Sequence, residues 1–237
     1  MIEIPEGVHR IRRCSIRCGT ESWPFASRED SAIRRHWAQR SARNPKFFNG
    51  RVYVMISGAL HEDCLEGRLA ATDFAASLYW RETGYRDWTV VDCFGSAILL
   101  GSDGTLIYGR QTPGNINSGM LYPPGGFIDG RDIDRCGTAG LDGSIAREVV
   151  EEMGLHPGTL GRDAGYPVTR DGPLLSVGII YRLAVPGREF CAQVQASLTN
   201  DAAPELEALV PLASADEAAA HAMPGYARQI AMALLPD

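Results

Sequence analysis

The sequence predicts an α/β protein: an α/β/α sandwich over residues 89–237, preceded by a smaller α+β wing over residues 1–88. Three observations carry this expectation. From Asp92 onward, strand-like apolar runs alternate with helix-like ones. In the middle of that stretch lies an amphipathic helix with its acids on one side and an apolar stripe on the other. The first 88 residues hold their own helical and alternating segments, so they read as a folded unit rather than a tail.

The elements follow in order. Residues 28–44 are helix-like, with Ile33 and Trp37 one turn apart and Arg34, Arg35 and Arg40 mostly outside that apolar side. Residues 51–56 alternate as a strand does, and residues 70–83 read as a helix ending at Gly84. A strand at residues 93–100, a turn at Ser102-Asp103-Gly104 and a strand at residues 105–110 come next, then a Gly/Asn/Pro loop over residues 112–117. Residues 174–185 and 189–197 read as two strands of a hairpin across Pro186-Gly187. Residues 213–222 and 225–235 look helical and are split by Pro224.

The most informative stretch is Arg147-Glu148-Val149-Val150-Glu151-Glu152-Met153-Gly154-Leu155. Glu148, Glu151 and Glu152 stand at i, i+3 and i+4, which a helix brings to one face, where like charges cost about 0.2–0.5 kcal/mol per pair. A hard divalent cation reverses that sign; the plain alternative is a solvated acidic face. Ile145, Val149 and Met153 form the opposite apolar stripe, Asp142 is a candidate N-cap and Gly154 a candidate C′ residue. Upstream, Leu121-Tyr122-Pro123-Pro124-Gly125-Gly126-Phe127-Ile128-Asp129-Gly130-Arg131-Asp132 reads as a turn and short strand leading towards this helix.

These two segments together resemble the Nudix hydrolase signature: Gly, five residues, Glu, seven residues, then Arg-Glu-U-x-Glu-Glu-x-Gly-U with U a bulky aliphatic. The second half is met at every specified position by Arg147, Glu148, Val149, Glu151, Glu152, Gly154 and Leu155. In the first half, five residues after Gly126 stands Asp132 instead of Glu, and fourteen residues rather than seven precede Arg147. A seven-residue insertion within residues 133–143 accounts for the difference, and such a loop costs little closure entropy. Shorter motifs, Trp37-Ala38-Gln39-Arg40, Phe47-Phe48-Asn49-Gly50 and Tyr79-Trp80-Arg81-Glu82-Thr83-Gly84, are similar to the N-terminal wing of the Nudix diphosphatases that act on UDP-glucose and UDP-galactose.

The resemblance implies a sandwich with a mixed sheet, and a Mg²⁺- or Mn²⁺-dependent pyrophosphatase cleaving a nucleoside diphosphate derivative, foremost a nucleotide sugar. ADP-ribose hydrolysis and a non-catalytic ligand sensor are the alternatives. By position in the motif, Glu148 and Glu152 are the leading metal ligands, with Glu151 a third ligand or outer partner. Glu151, Glu152 and Arg147 are the catalytic candidates, Arg147 orienting a glutamate through an ion pair. The backbone of Gly125 or Gly126 is expected close to metal or phosphate, because neither carries a Cβ. The general base is a motif glutamate or an acid from a downstream loop. A homodimer is the family-level expectation.

Other residues stay open on sequence alone. Tyr122 and Phe127 either stack on a nucleobase or pack a loop. Arg110 and Arg170 either clamp a phosphate or stay on the surface. Cys14, Cys18, His61 and Cys64 could gather zinc, while free thiols fit the six scattered cysteines better. A net charge of −6 argues against a general nucleic-acid or membrane-surface binder. With neither a signal peptide nor an apolar run long enough to span a bilayer, the expectation is a soluble cytoplasmic protein.

Overall fold

A computed structural model describes residues 1–200 and 204–236. In chain order its elements are β1 (Ile2–Glu3), β2 (Gly7–Ile11), β3 (Arg13–Ser22), α1 (Pro24–Arg28), α2 (Asp30–Arg43), β4 (Arg51–His61), β5 (Cys64–Asp73), α3 (Phe74–Glu82), β6 (Asp92–Leu100), β7 (Leu106–Gln111), β8 (Leu121–Tyr122), α4 (Leu141–Met153), β9 (Gly161–Arg162), β10 (Tyr166–Asp171), β11 (Leu174–Arg182), α5 (Gly187–Asn200), β12 (Leu206–Leu212), α6 (Ala215–Ala219) and α7 (Gly225–Leu234).

The larger sheet runs β12-β7-β6-β11-β10-β2, with β8 beside β7 and β9 beside β11. It is mixed: β6 and β11 are parallel, Asp92 opposite Leu174 through Leu100 opposite Arg182, and the other pairs are antiparallel. Nearly continuous apolar runs in β6 and β11 reflect burial on both faces. Ile145 of α4 lies against Gly95, whereas Tyr226 of α7 meets the neighbouring Phe94 ring at 4.9 Å. Adjacent strand residues point to opposite faces, so α4 and α7 cover the two sides of the sheet. This is an α/β/α arrangement.

A second, four-stranded sheet runs β1-β4-β5-β3. One of its faces packs Ile16, Tyr53, Met55 and Leu65 against Cys93, Leu175 and Val177 of the larger sheet. Its other face, with Val54 and Ala70, is closed by Trp23, Phe25, Ile33 and Trp80 from α1, α2, α3 and the segment before α1. The Asp87 carboxylate accepts from the Trp23 indole N–H at 3.1 Å, and the Asp87 carbonyl accepts from that of Trp80 at 2.9 Å, so both buried rings are satisfied. The N-terminal strands are not confined to the smaller sheet, because β2 pairs with β10 of the larger one.

Three local expectations are corrected. Residues 189–197 belong to a helix, α5, and not to the second strand of a hairpin. Among its described side chains Phe190, Cys191 and Val194 are buried, a helical spacing, and the helix packs on β12 and β7. Residues 70–73 continue β5 instead of starting a helix; α3 begins after Asp73, whose carboxylate accepts from the Ala76 N–H. Asp142 is not the N-cap of α4, which is Gly140; its carboxylate instead accepts from Arg162 at 2.7 Å and from the Tyr166 hydroxyl at 2.8 Å. Gly154 does end α4 in the left-handed conformation, φ 67°.

The insertion has a structural place. Ile133 and Ala139 bridge each other, and the loop docks on β3: Cys18 N–H donates to the Gly137 carbonyl at 2.7 Å and Ala139 N–H to the Ile16 carbonyl at 2.9 Å. It thus ties the smaller sheet to the start of α4. No helix among the described residues is long and apolar enough to cross a membrane.

Candidate functional site

Between the two sheets opens a cleft of about 800 Å³. One wall is the outer face of α4 with Gly125 and Gly126; the facing wall brings Phe47, Phe48, Phe74 and Arg81. The segment after β8 reaches the floor of the cleft by running along β6, where Gly95 N–H donates to the Gly126 carbonyl at 3.2 Å and Ala97 N–H to that of Pro124 at 2.7 Å.

The three α4 glutamates do not share one environment. Glu152 is buried at 6% exposure, and neither of its carboxylate oxygens has a hydrogen-bond partner. Burial first, then the charges of Glu148 and Glu205, hold its carboxyl well above the ordinary range. The Gly125 N–H opposes that shift but closes no hydrogen bond of normal geometry. Glu148 is pushed up to about 7 by burial and then by Glu151, with Arg147 opposing. Glu151 turns outward, half exposed, and pairs with Arg131 at 3.3 Å and less closely with Arg147 at 3.8 Å.

Arg147 is gripped mainly by the loop acid. Its two terminal nitrogens donate to both Asp132 oxygens, at 2.6 and 3.2 Å, and Asp132 also accepts from the Asp129 N–H and the Ser144 hydroxyl. Asp132 is therefore a buried anchor that fixes the guanidinium, and its side chain is spent on that task. Arg147 in turn lies 3.7 Å from Glu148, so the expected ion pair with a motif glutamate exists as the weaker of its contacts.

Gly126 lets the Glu148 carboxylate lie directly on the backbone: a Cβ there would fall 2.6 Å from the carboxylate carbon. Gly125 packs more closely still, on the Gly95 carbonyl oxygen of β6, so a side chain there would meet fixed backbone, whereas one at Gly126 would displace the Glu148 carboxylate. Tyr122 is buried in the core and also faces the cleft, its hydroxyl titrating far above its usual range through burial and the charge of Glu152. Phe127 meets Phe74 edge to face at 5.8 Å.

Two arginines are not brought to the cleft. Arg110 pairs with Glu207 at 3.6 Å, and Arg170 donates to the Gly172 carbonyl. Cys14, His61 and Cys64 line a separate shallow pocket; all six cysteines are free, and burial raises Cys14 to about 12. Sequence reasoning missed Asp92, Glu205 and Tyr226, all of which line the main cleft. Glu205 stands just before β12 and carried no motif, though an acid downstream of the box was expected in general terms.

Among the described residues no three His, Cys, Asp or Glu side chains are grouped tightly enough to enclose a metal on their own. The donors still suit a Mg²⁺-like ion, which keeps several waters and takes one or two protein carboxylates together with substrate phosphates. Glu152, with both oxygens orphaned in a buried position next to Glu148, has the surroundings that such a cation would relieve.

No family model matches the chain, and no curated protein matches it. Solved structures similar to it include the MutT protein from Methanosarcina mazei Go1, 17% identical, covering 61% of this chain and 92% of that one, with a TM-score of 0.40. DR0079 from Deinococcus radiodurans is 15% identical, covers 78% of this chain and 98% of its own, and has a TM-score of 0.46. The NUDIX domain of Shewanella oneidensis NrtR, solved with ADP ribose, is 12% identical and covers 59% of this chain and 83% of its own, with a TM-score of 0.39. Likenesses this distant assign neither family nor activity.

Proposed function

We propose that this protein is a hydrolase of the Nudix type that cleaves the diphosphate of a nucleoside diphosphate derivative, most simply a nucleotide sugar, with Mg²⁺ or Mn²⁺. The observation that carries the reading is the buried, partnerless Glu152 carboxylate beside Glu148 in a large cleft. Burying an unpaired carboxylate is costly, and a fold that keeps one in an open cleft has a use for it.

Glu152 and Glu148 would hold the cation, with Glu151 an outer partner. When bound, the cation supplies charge neutralisation at the diphosphate and a more acidic water. The residues do the rest. Asp132 locks Arg147, and Arg147 restrains Glu148 and Glu151 at the mouth of the cleft. Gly126 allows the Glu148 carboxylate to approach the backbone, where a phosphate oxygen could also be met by main-chain N–H groups. Phe48, 83% exposed, offers its ring to a base across the cleft on a wall that Phe47 and Phe74 also line. Residues 1–88 then act as a wing supplying the wall opposite the box.

The test is hydrolysis of a panel of UDP-, GDP- and ADP-sugars and ADP-ribose, with and without Mg²⁺ or Mn²⁺, beside Glu152→Gln. Metal-dependent release of nucleoside monophosphate, reduced about a hundredfold or more in the variant, is the expected result. Binding without turnover by the wild-type protein would leave a ligand sensor in place of the enzyme.

A further inference from the structure

The cleft has a second buried acid that the chemistry above does not use. Asp92 opens β6 and is 3% exposed, yet one of its carboxylate oxygens is fully buried with no hydrogen-bond partner. It lies on the wall of the same cleft together with Arg81, Phe94, Asn117 and Tyr226. Burial raises the Asp92 carboxyl to about 6 against the opposing charge of Arg81, whose guanidinium donates to the Asn117 side chain; among the described residues no ion pair joins Arg81 to Asp92. Phe94 and Tyr226 meet edge to face at 4.9 Å beside it.

These groups define what fits. An anionic phosphate would be repelled by Asp92, whereas a group rich in donors would satisfy its orphaned oxygen. A carboxylate with two acceptor oxygens matches two adjacent hydroxyls, the neighbouring guanidinium and amide can take part with the hydroxyl oxygens, and aromatic rings suit the C–H surface of a sugar. Asp92, Tyr226 and Glu152 line the same cleft, so this corner belongs to the same cavity as the proposed cation wall.

We propose that Asp92, Arg81 and Tyr226 form the subsite for the hydroxyl-bearing sugar on the far side of the diphosphate. Asp92 accepts hydrogen bonds from adjacent hydroxyls, and thereby selects sugar-linked over alkyl-linked diphosphates. The inference rests on the diphosphate hydrolase reading and deepens it.

The test compares wild type and Asp92→Asn on UDP-glucose and on the ethyl ester of UDP, which keeps base and diphosphate but has no sugar hydroxyls beyond them. Both kcat/KM with Mg²⁺ and calorimetric Kd without metal are measured, together with Tm. The expected result is a loss on UDP-glucose about ten- to a hundredfold greater than on the ethyl ester. It comes with an unchanged or higher Tm, because a buried carboxylate without a partner does not stabilise the fold. Equal losses on both compounds would overturn the proposal, as would a lower Tm with no discrimination, the mark of a structural role. If neither compound is hydrolysed by wild type, the ratio of Kd values still decides the role of Asp92, and the hydrolase reading is decided by the wider substrate panel. Failure of wild type to bind either compound would overturn the subsite, with the hydrolase reading still decided by the panel.

Discussion

Glu148→Gln should make the metal-free protein more stable, and only at neutral and alkaline pH. Burial, then Glu151, with Glu205 and Asp132 adding and Arg147 opposing, raises the Glu148 carboxyl from an ordinary 4.5 to about 7. At about 1.4 kcal/mol per pH unit, ionising it within the fold costs about 3 kcal/mol at pH 8, as an upper bound. The folded value lies above the unfolded one, so the carboxyl's contribution to stability is complete below about pH 4.5 and is lost as pH rises through about 7. Glutamine keeps the shape and removes the titration. In EDTA the variant should therefore melt up to about 6–12 °C above the parent at pH 8, at about 2–4 °C per kcal/mol for a chain of this size. The difference should shrink steadily below pH 7 and close by about pH 4. Thermal unfolding followed by circular dichroism across that range measures it directly. A variant that melts below the parent at pH 8, or differs from it equally at every pH, would refute the electrostatic account of the site.

Other expected outcomes follow from single contacts. Asp132→Ala strips Arg147 of its closest partner and leaves the Asp129 N–H and Ser144 hydroxyl unmet; a loss of about 3–5 kcal/mol is expected by urea denaturation, and a change under about 1 would contradict the anchoring role. Gly126→Ala places a methyl 2.6 Å from the Glu148 carboxylate carbon, so Mn²⁺ affinity should fall about tenfold while circular dichroism stays native. Ile145→Ala opens a void between α4 and Gly95 and should cost about 2–5 kcal/mol in the same urea assay.

What could be read from the chain alone is uneven for physical reasons. α4 and its Gly154 cap were legible because acids and aliphatics alternate with a helical period and a left-handed terminus wants glycine. β6 and β7 were legible from their apolar runs and the intervening turn. α5 was misread because a short stretch with Phe190, Cys191 and Val194 after Pro-Gly also suits a strand, and only packing against β12 and β7 selects the helix. β2, β3 and β10 drew no expectation, since polar residues interrupt them and their pairing partners are far along the chain. At the site, the motif predicted which acids matter but not how differently they are buried. Glu152 faces the interior and Glu151 the solvent, although they are neighbours in sequence. Asp92 and Glu205 were invisible because each is a lone acid whose position depends on how strands from distant parts of the chain meet.

The most direct test of the central claim is a Mn²⁺ titration of wild type and Glu152→Gln followed by electron paramagnetic resonance, with Glu151→Gln alongside. If the buried carboxylate is the principal cation ligand, Glu152→Gln weakens binding by tenfold or more, about 1.4 kcal/mol at the least. Glu151→Gln, which alters an exposed ion pair, then changes it far less. Equal affinity in wild type and Glu152→Gln would contradict the account.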